Sequence, residues 1–202
     1  NMVAEENAPL PSTPASSLRT PVAVDLDLLK KITHGAIKIA EMDGGYVFSR
    51  MTEWQGKGCL NTSQDYFYKP FSTAGIRLEF VTDAQSFRIK GEFRCGASRT
   101  YSYLDVKVNG VIVQHDGTEN YIENPDFSMT VNLDGKKNKV AVYFPNMVQF
   151  ALTELEFEKA SVIEPVKKDL TMVCWGDSIT HGYDAIYPSL SYANQLADGL
   201  NL

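Results

Sequence analysis

The sequence predicts a mainly β protein, an antiparallel β-sandwich of jelly-roll type followed by the first strand and helix of an α/β domain. Over most of the chain, apolar and polar residues alternate in short segments, which is the period of a strand buried on one face. Beyond residue 168 the alternation gives way to a continuous apolar run and then to apolar residues at helical spacing. With 44% hydrophobic and 22% charged residues, the chain can bury a core.

The N-terminal part combines an arm with the sandwich. Residues 1–22 are rich in Pro, Ser and Thr without apolar periodicity, which is typical of a flexible arm. "DLDLLKKI" predicts one short helical turn, and residues 23–162 then predict about eight or nine strands without a convincing long helix. The predicted strands are "AIKIA", "GYVFSR", "GIRLEFVTD", "SFRIKGEFR", "YLDVKV", "VIVQHDG", "FSMTVNL", "NKVAVYF" and "FALTELEFE".

The clearest turn signal is the pair Asn109 and Gly110, which separates two alternating runs. Both residues tolerate the positive φ of a two-residue hairpin turn, so a tight antiparallel pair is predicted there. On the last strand, Glu154, Glu156 and Glu158 all point outward and predict a solvated face. They would bind calcium only if loop oxygens converged on them.

The pattern changes after the sandwich. Residues 163–168 contain a proline and charged residues and are expected to be a linker, followed by a second unit at 169–202. "LTMVCW" predicts a strand buried on both faces, as in a parallel sheet. The next segment predicts a helix, capped by Ser189 or Ser191 and ended by Gly199, with an apolar side formed by Tyr192, Ala193, Leu196 and Leu200. Ligands of such a unit bind beyond the carboxyl end of the strand, where Ser178 lies.

Charge and cysteine content exclude several classes of partner. A net charge of −6 and a pI near 5.1 argue against nucleic acid or an anionic membrane surface, and no apolar run is long enough to span a bilayer. The three cysteines, Cys59, Cys95 and Cys174, lack CxxC spacing, so no zinc site is indicated. We expect reduced thiols and no cofactor, while a Cys59–Cys95 bridge stays open for an oxidising compartment. A cytoplasmic location and secretion with a removed signal both remain open.

The segment "WGDSITHG" resembles the first signature block of the SGNH/GDSL hydrolases, in which Gly-Asp-Ser follows the first strand of a flavodoxin-like sheet. The downstream "PSLSYANQLADGLN" is similar to the first helix of that family. The preceding strands resemble the N-terminal β domains of bacterial GDSL-type carbohydrate esterases and lipase-like proteins. The hydrolase resemblance covers residues 169–202.

The resemblance implies a catalytic role for Ser178, which would attack an ester carbonyl and contribute its backbone N–H to an oxyanion hole. Asp177 would hold the turn through hydrogen bonds to nearby backbone groups. Such a sharp turn exposes the hydroxyl and aims main-chain donors at the developing negative charge. The family takes its other oxyanion donors from a later glycine and asparagine, and its base from a DxxH motif. This sequence has none of these.

A base from elsewhere in the chain would have to be one of three histidines. His181 follows the serine by three residues, so its ring does not easily reach the Ser178 proton, and we expect it to line the pocket mouth with Thr180. His115 follows a strand as a solvated turn residue, and His34 is expected to be exposed or to cap a helix. We therefore expect Ser178 to be a nucleophile whose base is absent, and the chain alone to be inactive.

Two functions remain open at this point. The first is a serine esterase acting on acyl esters, with deacetylation of carbohydrate as the specific form. The second is a non-catalytic sandwich that binds carbohydrate or packs beside a catalytic domain. Six aromatic residues could stack on sugar rings or belong to the core: Trp54, Tyr66, Phe67, Tyr68, Tyr101 and Tyr103. Self-association through the incomplete hydrolase segment also stays open.

Overall fold

The computed structural model describes residues 22–63, 66, 71–96, 98–160 and 162–202. Almost the whole predicted arm therefore lies outside the described residues. Two antiparallel sheets face each other across an apolar core. In chain order, the strands are β1 Val22–Ala23, β2 Thr33–His34, β3 Lys38–Met42, β4 Gly45–Ser49, β5 Arg77–Thr82, β6 Ser86–Gly96, β7 Ser102–Val108, β8 Val111–Thr118, β9 Asp126–Asn132, β10 Asn138–Tyr143, β11 Val148–Glu158 and β12 Ile163–Pro165.

The strands form two sheets of six among the described residues. Sheet A has the order β3-β4-β11-β6-β9, with β1 paired to β11. Sheet B has the order β12-β5-β10-β7-β8, with β2 paired to β5. The mainly β fold predicted from the alternation is thus confirmed.

The core between the sheets consists of the strand faces that the sequence predicted to be apolar. Ile76, Leu78 and Phe80 are buried, as are Phe87, Ile89 and Phe93 on β6. Aromatic rings meet edge to face across the core; for example, the Phe80 and Phe157 centroids are 5.2 Å apart.

The hairpin between β7 and β8 has the predicted turn. Asn109 and Gly110 have φ values of 49° and 87°, and Val108 is paired with Val111. Both turn residues occupy the left-handed region, which Asn and Gly tolerate best.

Two helices accompany the sandwich within the described ranges. Helix α1 (Leu26–Ile32) starts at Asp25, whose carboxylate accepts the Leu28 N–H, and it buries Leu29 and Ile32 against the core. Helix α2 (Glu53–Thr62) was not predicted, because it buries no residue and therefore has no apolar stripe to signal it. Its only sequence signal is the capping box formed by Thr52 and Gln55.

The segment after the sandwich differs from its prediction in two places. Ile163–Pro165, expected in a linker, pairs with β5 as a strand of sheet B. Residues 170–175, expected to be a buried strand, form no strand, and Val173 and Trp175 are 80% and 89% exposed. That prediction is wrong for this chain, because no described strand lies beside "LTMVCW" to accept its backbone hydrogen bonds. The predicted helix is confirmed as α3 (Tyr192–Gly199), with Ser191 as its N-cap.

Candidate functional site

The residues around Ser178 form a series of tight turns, here called the serine turn (residues 176–184). The Asp177 carboxylate accepts the Ile179 N–H at 3.0 Å, and the Asp177 carbonyl accepts the His181 N–H at 3.1 Å. The Ser178 carbonyl accepts the Tyr183 N–H at 2.9 Å. Side chain and backbone of Asp177 therefore both close the turn around the serine.

Ser178 itself is exposed at the surface of this turn. Neither its hydroxyl nor its backbone N–H forms a hydrogen bond with any part of the chain that the structure describes. The hydroxyl is therefore open to attack a ligand, and the N–H is open to donate to one.

Two glycines allow the serine turn to pack closely. A Cβ at Gly176 would lie 2.1 Å from Thr180 Oγ1, and a Cβ at Gly182 would lie 2.5 Å from Asn146 Nδ2. Gly182 also has a φ of 87°, which disfavours other residues. The Thr180 hydroxyl, predicted to line a pocket, is 2.8 Å from the Tyr192 hydroxyl at the start of α3.

The His181 side chain contacts the sandwich instead of Ser178. Its Nε2 is 2.5 Å from Ser72 Oγ and 3.3 Å from Arg50 Nη2. Arg50 in turn donates to both the hydroxyl and the carbonyl of Ser72 at 2.9 Å. Burial lowers the pKa of Arg50 to about 10, which still leaves the guanidinium charged at neutral pH.

The end of the serine turn contacts the loop between β6 and β7. Arg99 binds both carboxylate oxygens of Asp184, at 2.7 and 3.1 Å, and its guanidinium lies 4.4 Å from the centre of the Tyr183 ring. The Arg99 guanidinium holds the pKa of the Asp184 carboxyl below its usual value. The Ser98 and Tyr183 hydroxyls are also hydrogen-bonded. Because these groups are exposed, they orient the turn more than they stabilise it.

The chain beyond the serine turn lies on the outer face of sheet B. Four side chains on neighbouring strands form a polar row across that face, here called the docking row: Arg77, Tyr143, Asp105 and His115. Each faces the next in the strand register, from β5 through β10 and β7 to β8.

One half of the docking row holds α3 through Asp198. The Asp198 carboxylate accepts hydrogen bonds from Arg77 at 2.9 Å, from the Tyr143 hydroxyl at 2.7 and 2.8 Å, and from Lys107. Burial alone would raise the pKa of Asp198, but the bonds from Lys107 and Tyr143 outweigh it, and the pKa is lowered. Burial and the neighbouring carboxylate raise the pKa of Tyr143. Asp198 is thus charged and satisfied inside the contact.

The other half of the row holds the segment before α3. The fully buried Asp105 accepts the Ser189 N–H at 2.7 Å through one oxygen and lies 2.6 Å from His115 Nδ1 through the other. The His115 ring stacks on Tyr187 with centroids 4.0 Å apart. His115 was predicted to be a solvated turn residue; its side chain is 38% exposed, but the residue lies within β8 and not in a turn.

Helix α3 therefore turns its polar side toward the sandwich. Asn194 is buried, whereas Tyr192, Leu196 and Leu200 are exposed by 46%, 46% and 58%. These are the residues that the sequence assigned to an apolar face. That face contacts nothing that would bury it in the described part of the chain.

The remaining candidates lie away from the serine turn. His34 lies on β2, paired with Arg77, and no histidine of the described residues contacts Ser178. Trp54 and Tyr66 are exposed, Tyr101 and Tyr103 are partly buried, and Phe67 and Tyr68 lie outside the described residues. The three cysteines are free thiols, so the Cys59–Cys95 bridge is not formed.

The outward glutamates of β11 form ion pairs. Arg88 binds Glu154 and Glu156, and Lys90 binds Glu154. Within the described ranges, no group of acidic, His or Cys side chains could hold a metal ion. These ion pairs lie at the surface, as the solvated-face interpretation expects. No described helix is long and apolar enough to cross a membrane.

Sequence reasoning missed the sandwich side of this site. Arg50, Ser72, Asn146 and Asp105 all contact residues 181–189, or pack against them, from loops and from the outer face of sheet B. Asp105 alone carried a signal, because it is a charged residue between the buried Leu104 and Val106. Alternation assigned it to solvent, whereas it is covered by another part of the chain.

The fold is similar to that of larger proteins of known structure. The salicylyl-acyltransferase from a tetracycline biosynthetic pathway matches with a TM-score of 0.65 and 24% identity, over 83% of this chain and 48% of its own. A GDSL-like lipase from Bacteroides ovatus matches with a TM-score of 0.61 and 14% identity, over 88% of this chain and 52% of its own. No family model and no curated protein matches the chain. At these identities the likeness shows a shared fold, and the chain spans about half the length of both structures.

Proposed function

We propose that this chain carries the N-terminal β-sandwich of a serine esterase of the SGNH/GDSL type that acts on acyl esters, and that the serine turn holds its nucleophile. The observation that carries the proposal is Ser178 itself, on a turn closed by Asp177. Its hydroxyl is exposed, and its backbone N–H has no hydrogen-bond acceptor among the described residues. The fold shared with a GDSL-like lipase and an acyltransferase supports the same reaction class. We further propose the division into a sandwich and a hydrolase unit that begins near residue 169.

The proposed reaction uses Ser178 in two ways. Its Oγ attacks the ester carbonyl carbon and gives its proton to a base, while its own N–H donates to the carbonyl oxygen as negative charge develops there. The alcohol then leaves with a proton returned from the base, and water hydrolyses the acyl-serine. The base and the remaining oxyanion donors belong, in this proposal, to residues other than those described here.

The exposed apolar face of α3 supports the proposal that further parts of the catalytic domain lie outside the described residues. In an α/β domain the first helix packs on a parallel sheet, which would cover Tyr192, Leu196 and Leu200. The same sheet would give "LTMVCW" the strand partners it lacks. A carbohydrate alcohol is the specific substrate that the sequence resemblance implies.

A binding module is the alternative, and the exposed Trp54 favours it because sugar rings stack on such side chains. The faces of the two sheets do not favour a binding module. Residues 187–202 cover part of the outer face of sheet B, and none of the exposed aromatic side chains among the described residues lies on a strand of either sheet.

Serine-directed labelling tests the proposal. In the full-length protein, a fluorophosphonate should label Ser178, as located by mass spectrometry, and the Ser178→Ala variant should resist it. The 202-residue chain alone should hydrolyse an aryl acetate no faster than its own Ser178→Ala variant, because a serine without a base is a weak nucleophile. Labelling of another serine, with Ser178 untouched, would leave the binding module as the better hypothesis.

A further inference from the structure

The contact between His181 and the sandwich constrains the protonation of its ring. Arg50 cannot accept a hydrogen bond, so its contact at 3.3 Å requires His181 Nε2 to be the acceptor. The same guanidinium group donates to Ser72 Oγ at 2.9 Å. The Ser72 hydroxyl therefore uses its own proton toward Nε2, 2.5 Å away. Two donors thus converge on one lone pair.

This arrangement selects one form of the imidazole. With Nε2 as acceptor, the ring is neutral and its proton lies on Nδ1, because a protonated Nε2 would point its N–H at that of Arg50. The positive guanidinium at the same contact also disfavours an imidazolium. The nitrogen with a lone pair is occupied and the other carries a proton, so neither can take the Ser178 proton.

The contact also fixes the serine turn to the sandwich. The backbone N–H of His181 donates to the Asp177 carbonyl. The next residue, Gly182, packs against the buried side chain of Asn146. Two consecutive residues of the turn are therefore held by sandwich loops.

We infer that His181 is a positioning residue, held through Nε2 as the neutral Nδ1–H tautomer by Ser72 and Arg50, and that the sandwich thereby sets the geometry of Ser178. The catalytic consequence rests on the proposed function, but the tautomer does not. His181 thus acts as an acceptor toward the sandwich and takes no part as a base.

The tautomer can be measured directly in the 202-residue chain. Long-range ¹H–¹⁵N spectra of histidine-labelled protein, assigned with His→Gln variants at positions 34, 115 and 181, should show His181 as the Nδ1–H form at neutral pH. Ser72→Ala should weaken this preference, because the longer contact from Arg50 is then the remaining donor of the two. Ser128→Ala, on the outer face of sheet A, should leave it unchanged. An Nε2–H or doubly protonated His181 in the wild-type protein would overturn the inference.

The positioning role is tested by the fluorophosphonate labelling rate of Ser178 in the full-length protein. A glutamine at position 181 can accept both hydrogen bonds through Oε1, whereas leucine can accept neither. We expect His181→Gln to label within about threefold of wild type and His181→Leu about tenfold more slowly, because a small misplacement of a nucleophile costs that much or more. Equal, large losses in both variants would indicate a base and overturn the inference. Absence of labelling in wild type would overturn the proposed function, while the spectra would still decide the tautomer.

Discussion

Replacing Asp198 by Asn should loosen α3 from the sandwich without unfolding the sandwich. The carboxylate accepts bonds from Arg77, Lys107 and Tyr143, and its side chain is 25% exposed. Asparagine has nearly the same shape and can still accept from Tyr143, but it brings no charge to the two cations.

The magnitude follows from what each partner loses. A hydrogen bond to a charged group contributes about 1.5–3 kcal/mol, against about 0.5–1.5 kcal/mol for a neutral one. Arg77 is not left alone, because Glu79 remains 2.6 Å from its Nε, and Lys107 is partly exposed. We therefore expect a loss of about 2 kcal/mol, which corresponds to about 30-fold more frequent opening of α3.

Hydrogen exchange measures this opening. Amides of Tyr192–Gly199 should exchange about 30-fold faster in Asp198→Asn, while those of β6 and β11 should not change. Asp184→Asn is the matched control, since its ion pair with Arg99 is exposed and should contribute less than about 1 kcal/mol. Equal effects of the two variants, or faster exchange throughout the sandwich, would refute the reasoning that α3 docks through a buried charge.

Two further predictions concern the sandwich. Gly91→Ala should destabilise it by about 1–3 kcal/mol in urea unfolding, because the added Cβ would lie 2.3 Å from the Phe150 ring; Gly58→Ala, with open space on exposed α2, should be neutral or slightly stabilising. Burial lowers the pKa of His34, so its stabilising contribution is complete above the ordinary value of 6.5 and is lost as the pH falls through that value toward the lower pKa of the folded state. His34→Gln should therefore lose less stability than wild type between about pH 7.5 and pH 5.5, and an unchanged difference would contradict this.

The sandwich was predictable because one face of most of its strands is buried in the core. Buried residues such as Ile76, Leu78 and Phe80 therefore alternate in the sequence with residues of the other face. The Asn109-Gly110 turn was predictable for a local reason, its backbone conformation. Helix α2 was not, since a helix that buries nothing carries no periodic signal. The prediction for "LTMVCW" was wrong for the opposite reason. Its apolar composition is typical of a strand buried on both faces in a sheet, and the described residues contain no such sheet.

The serine turn was recognisable from its residues, but its surroundings were not. Ser72 and His181 are separated by 109 positions, and nothing in either local sequence indicates the other. The contacts of His115 were not predictable, because its partners, Asp105 and Tyr187, come from another strand and from beyond the sandwich. Contacts between distant segments are set by topology, which single-sequence patterns do not encode.

The docking row has a consequence for the order of assembly during synthesis. All four of its residues belong to strands β5 to β10, and these leave the ribosome before residues 187–202 do. We therefore expect the sandwich to fold first. The docking row is then already formed when residues 187–202 emerge, and it can bind them. The nascent helix α3 would then have its orientation fixed by Asp198 and Ser189, with its apolar side already facing away from the sandwich.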